Sequence, residues 1–233
     1  MIKIFRCECR RLLCNKFFIG LLAVLLFYAV ALPGVAHTAP FSPWSFGAYL
    51  GRLLPLVWVG ALFFLTFFTS ARERRAAVLT AATPADPRRY ALARCAAALV
   101  GVALLCLAAL ALAALLYDRL FGWTDWGSLA LPALVILAPP LVFALGSGWL
   151  LGRLRPWLLY VWMLLPFALA ALPLPEALGL WNGGLCTSYP LTLGMLDPAF
   201  SLPAAAWAVQ GLLLAAGVLL LLVAGKGKKV YNQ

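Results

Sequence analysis

Charge is scarce in this chain: only 11% of its 233 residues are Asp, Glu, Lys or Arg, seven of them are acidic, and there is one histidine. Catalysis needs positioned acids, bases, nucleophiles or metal ligands, and little of that material is present. The carboxylates stand apart at helix ends and in loops, the histidine (His37) falls at the outer edge of the first apolar run, and neither H-E-x-x-H nor G-x-S-x-G occurs. The tail Gly225-Lys226-Gly227-Lys228 imitates a phosphate loop, but Leu222 replaces the earlier glycine and Lys229 stands where Ser or Thr is required. The chain is therefore expected not to be an enzyme and to hold no metal or cofactor of its own. A water-soluble domain is excluded by the same scarcity, since 65% apolar residues and a mean hydropathy of +1.00 leave too little polar surface to cover one.

What the chain does have is long apolar runs. Six, at about 17–37, 53–70, 95–116, 129–152, 157–173 and 204–224, approach or exceed the length needed to cross a hydrocarbon core about 30 Å thick at 1.5 Å per helical residue. The expected fold is all-α: one transmembrane domain over 1–233 with six crossings. The first run, of about twenty-one residues, is too long for a secretory h-region, so it is read as a span although Gly34-Val35-Ala36 imitates a cleavage site.

The basic residues orient these spans. Of eighteen Lys and Arg, five lie before the first run, six between 71 and 94, two at Arg153 and Arg155 and three at Lys226, Lys228 and Lys229, leaving only Arg52 and Arg119 on the alternate segments. Both termini are expected in the cytoplasm by the positive-inside rule, in the inner (plasma) membrane of a bacterial cell. The net charge of +11 then reads as a collar on anionic lipid headgroups, not as a nucleic-acid surface.

Within residues 1–16, Ile2, Phe5, Cys9, Leu12 and Leu13 share one helical face and Lys3, Arg6 and Arg10 another, the pattern of a helix lying in the interface. Cys7, Cys9 and Cys14 fall in this arm, Cys95 and Cys106 in the third span and Cys186 alone outside, so neither a metal site nor an intrachain bridge is expected. Pro132, Pro139 and Pro140 predict a kink in the fourth span, and Ala144, Gly148 and Gly152 a close helix contact after it. A similar contact is predicted at Gly211 and Ala215 of the last span. The stretch 174–203 lacks Lys and Arg but is broken by Gly183-Gly184, Pro190 and Pro198, and is read as short re-entrant helices at the outer face. Ionisable groups are nearly absent from the spans. Arg52, near an outer end, is read as snorkelling to the interface.

Between the second and third spans, residues 71–94 form the largest cytoplasmic element. Its run Arg72-Glu73-Arg74-Arg75-Ala76-Ala77-Val78-Leu79-Thr80-Ala81-Ala82-Thr83-Pro84 resembles the signature of type-2 ABC transporter permeases, in which Glu-Arg, a short helix and Thr-Pro precede the third span. The order of amphipathic arm, six spans and an apolar segment before the last is similar to that family over nearly the whole chain. Where the family often has Gly-Thr after Glu-Arg, this chain has Arg75-Ala76-Ala77.

The resemblance implies a permease subunit that pairs with a second copy or a paralogue and docks separate ABC ATPase subunits, with ATP and Mg bound in those partners. It implies that Arg72, Glu73, Arg74, Leu79, Thr83 and Pro84 form the helix coupling to the ATPase, and that the arm 1–16 is the connecting helix. Cargo is expected between protomers, along an aromatic face of the second span formed by Trp58, Phe63, Phe64 and Phe67. The expected activity is export of a hydrophobic or amphipathic substrate such as a drug, a lipid or a membrane-active peptide. Two readings compete: a membrane anchor or assembly subunit that transports nothing, and an ion-coupled secondary carrier.

Overall fold

The computed structural model describes residues 2–32, 42–69, 87–172, 174–194 and 198–225. Among them there are eight α-helices, one 3-10 turn and no strand. In chain order they are α1 (Ile2–Leu13), α2 (Lys16–Ala31), α3 (Pro43–Thr69), α4 (Pro87–Phe121), α5 (Gly127–Leu154), α6 (Trp157–Ala171), a 3-10 turn at Glu176–Trp181, α7 (Gly184–Thr192) and α8 (Ala204–Gly225).

Local chemistry sets the boundaries. The Asn15 side chain accepts a hydrogen bond from the Phe17 amide at 3.2 Å, capping α2 and separating it from α1. The two helices meet at a bend of 57°. At the far end of α4 the chain turns at Gly122, whose φ of +61° suits glycine, and its amide returns to the Asp118 carbonyl at 3.0 Å.

Four helices are long and apolar enough to cross a membrane, at Pro43–Thr69, Tyr90–Leu120, Gly127–Leu154 and Ala204–Val223, and the bent α1–α2 pair makes a fifth if counted as one span. The protein is a membrane protein on that ground. The two remaining elements expected to cross are shorter than the sequence reading made them. α2 has 16 residues and α6 has 15, about 24 and 22 Å of helix.

α3 is the hub. Its Leu50, Leu53, Leu54, Trp58, Ala61 and Leu62 are at most 1% exposed, because α2, α4, α5, α6, α7 and the 3-10 turn all pack around it. By contrast Phe27 on α2, Leu134 on α5, Leu164 on α6 and Leu212 on α8 stand 65–75% exposed, side chains suited to lipid and not to water.

Small residues decide how closely the helices approach. The predicted stripe Ala144, Gly148, Gly152 receives α3: a Cβ on Gly148 would stand 2.4 Å from Leu62 Cδ2, and one on Gly152 2.7 Å from Thr69 Cγ2. The stripe predicted on the last helix is not the one used. Gly211 has no atom within 4 Å of where its Cβ would be, whereas a Cβ on Gly217 would stand 2.6 Å from the Phe143 amide nitrogen and one on Gly146 2.5 Å from the Gly217 carbonyl oxygen. The inward side of α8 is fixed by Ala206 and Gln210, and Gly217 lies on that side. α5 continues as one helix through all three of its prolines.

The segment between α6 and α8 folds as the 3-10 turn and α7, docked on the first half of α3. Gly51 lies against the Gly183 backbone and Gly47 against Cys186. Trp44 Nε1 donates to the Pro198 carbonyl at 2.9 Å. Cys186 is buried, and all six cysteines are free.

Candidate functional site

The most polar point of the described structure forms where α1 crosses the start of α4. Glu8, three residues after Phe5 and four before Leu12, falls on the apolar face of α1. It is 6% exposed. Its Oε1 accepts two hydrogen bonds, from Tyr90 Oη at 3.1 Å and from Arg94 Nε at 3.2 Å. Tyr90 and Arg94 are one turn apart on α4, so they reach the same carboxylate, and the Arg94 guanidinium also donates to Tyr90 Oη.

The guanidinium is held on both sides by rings. Its carbon lies 4.2 Å from the Tyr90 ring centroid and 5.3 Å from that of Phe68 in the last turn of α3. Phe68 in turn packs against Trp149 of α5 at 6.1 Å. The second oxygen, Oε2, has Arg11 at 3.7 Å as an ion pair but no hydrogen-bond partner among the described residues. The carboxylate thus ties α1 to the start of α4, and the guanidinium it holds reaches the end of α3 through Phe68. Burial, and secondarily the Glu8 charge, raise the pKa of the adjacent Cys9 thiol.

A buried carboxylate needs compensation, and the site supplies a cation, a hydroxyl and a second cation at the edge. Its geometry is that of a charge-assisted clamp between α1 and α4. Among the described residues no three His, Cys, Asp or Glu side chains come together in a way that could hold a metal ion.

Arg72, Glu73, Arg74, Leu79, Thr83 and Pro84 lie outside the described residues. The clamp flanks them on both sides in sequence, through Phe68 before and Tyr90 and Arg94 after. The four aromatic residues assigned to a path do not form one face. Trp58 is wholly buried inside the chain, donating to the Trp162 carbonyl at 3.2 Å and packed against Phe143, Trp162 and Trp181. Phe64 is 1% exposed, stacked on Phe18 and seated on Gly101. Phe63 and Phe67, one turn apart, are half-buried and share a contact with Phe17 of α2 at 6.2 Å each. At about 100° per residue, position 67 lies only about 40° from 63, while 64 lies about 100° and 58 about 140° from it.

The clamp itself escaped the sequence reading, which placed Arg94 in a basic segment and Glu8 between two cysteines. The signal was the only acid of a basic arm, set in the line of Phe5 and Leu12. Compared with protein-family models, with curated proteins and with solved structures, the chain finds no match in any of the three.

Proposed function

We propose that this chain is the membrane subunit of an ATP-driven exporter of the type-2 ABC permease kind, crossing the membrane six times with both termini in the cytoplasm. The ATPase sites belong to partner chains that bind ATP and Mg, and a second permease copy or paralogue completes the pathway. In this reading α2 and α6 are short crossings, the 3-10 turn and α7 are re-entrant at the outer face, and α1 lies on the inner leaflet. The cargo is hydrophobic or amphipathic, because the spans offer almost no charged group to receive an ionic one.

The observation that supports this most is the Glu8 clamp. A segment carrying the Glu73-Arg74 to Thr83-Pro84 signature leaves α3 just after Phe68 and enters α4 just before Tyr90; the Glu8 carboxylate holds the start of α4 to α1, and Arg94 links it to Phe68 at the end of α3. Force applied to residues 71–86 by a closing ATPase pair is then delivered to three helices at once, and α3, the hub of the fold, carries it inward. Such a switch needs two membrane arrangements within a few kcal/mol of each other.

The test is co-purification of the chain with an ATPase encoded beside it, followed by nucleotide turnover and uptake of a hydrophobic dye into inverted vesicles. Glu73→Ala and Glu8→Ala are expected to leave the ATPase bound and to lower cargo-stimulated turnover and transport. Turnover indifferent to both changes would make the chain an anchor. Transport driven by an ion gradient with no ATPase present would make it a carrier. Labelling of Thr80→Cys from outside the cell would overturn the orientation.

A further inference from the structure

The middle of α5 carries two adjacent prolines, and α8, packed along it, buries a polar side chain. Pro139 and Pro140 carry no N–H, so the carbonyls of Val135 and Ile136, four residues earlier, lose their helical donors. All four of these residues are buried. Inside a bilayer no water replaces the missing donors, so a neighbouring helix must.

α5 and α8 run side by side in the same direction. Gly217 lies against Val142 and Phe143, while Gly146, further along α5, lies against the Gly217 carbonyl and Leu220, further along α8. Seven residues back along each helix, two turns, the same faces bring Gln210 opposite Val135 and Ile136. Gln210 is 3% exposed, and its Oε1 has no hydrogen-bond partner among the described residues. Its buried neighbour on α8 is Ala206, Leu202 is buried just before the helix, and the 3-10 turn also packs on α8.

We propose that Gln210 is a latch that supplies the donor Pro139 and Pro140 withhold. A half-turn of its terminal amide, a soft torsion, puts an N–H where the unpartnered oxygen now stands. That N–H donates to the freed carbonyl of Val135 or Ile136. Latched, α5 is fixed to α8 at this level; unlatched, α5 bends at its proline pair. The device is independent of what the protein transports.

A double-mutant cycle on the full-length chain in lipid nanodiscs tests it, reading the thermal unfolding midpoint. Gln210→Leu is expected to lower the midpoint by about 2–4 °C, the shift of one hydrogen bond in a chain of this size. In a Pro139→Ala, Pro140→Ala background the backbone N–H groups return, and Gln210→Leu is expected to produce no drop. An equal drop in both backgrounds, or none in either, overturns the latch. Should the triple variant not fold, Gln210→Leu alone is compared with Gln210→Glu, whose carboxyl is protonated in hydrocarbon and keeps one donor. Retention of the native midpoint by the second variant supports the latch, and equal loss in both overturns it.

Discussion

Replacing Glu8 by glutamine changes the shape of the side chain very little and removes one negative charge from beneath α1. The Glu8 and Arg94 side chains are 8% and 12% exposed, so the pair is buried and the small values typical of surface ion pairs do not apply. Removing one member of a buried pair costs roughly 3–5 kcal/mol, because the other charge is left without compensation. Glutamine keeps a carbonyl acceptor for Tyr90 and Arg94, so the loss is smaller, about 2 kcal/mol, the difference between charge-assisted and neutral hydrogen bonds at two donors. For a chain of this size that corresponds to roughly 4–8 °C in the unfolding midpoint. Glu8→Ala, which also deletes the acceptor, should cost more, about 3–4 kcal/mol. The assay is tryptophan fluorescence during a thermal ramp in nanodiscs, on Glu8→Gln, Arg94→Gln and the double variant. A coupling of about 2 kcal/mol is expected, and raising the salt from about 0.15 to 1 M should change it little, since buried pairs are weakly screened. Strict additivity of the two substitutions, or a midpoint for Glu8→Gln within about 1 °C of the native chain, would show that the clamp contributes nothing and refute the reasoning.

Other expectations come from the packing. Gly217→Ala should destabilise by about 1–3 kcal/mol, because the new methyl meets the Phe143 backbone at 2.6 Å, while Gly211→Ala, with open space around it, should be neutral or slightly stabilising; reversal of that order in a melting comparison would contradict the α5–α8 contact. Ser147→Ala removes the acceptor for Trp162 Nε1, now at 2.9 Å, and should cost about 1–3 kcal/mol. Its check is the same thermal ramp with Trp162→Phe added, where the penalty should shrink because no orphan donor remains. Cys9 should react with maleimide more slowly than Cys7 or Cys14 at pH 8, since burial and the Glu8 charge raise its pKa and lower its thiolate fraction; equal rates, followed by mass spectrometry, would contradict the placement of α1.

The sequence by itself determined that the protein is helical and built for a membrane, because long apolar stretches have no other stable form in hydrocarbon. Helix ends were less legible: α3 begins at Pro43 and α4 at Pro87, ahead of their apolar runs, and α2 and α6 are shorter than theirs. The sequence also marked residues 144–152 as a close contact, because Ala144, Gly148 and Gly152 recur at helical spacing. Which face of each span turns inward was legible only in part, since a helix apolar all round carries no amphipathic signal. Nothing in the apolar pattern separates Gly211 from Gly217, or Trp58 and Phe64 from Phe63 and Phe67. Only the tertiary structure decided that Trp58 reaches the Trp162 carbonyl, that Glu8 meets a cation 86 positions away, and that Gln210 is buried with its Oε1 unpartnered among the described residues. Those partners are chosen by helix packing, which brings together groups that local spacing never relates.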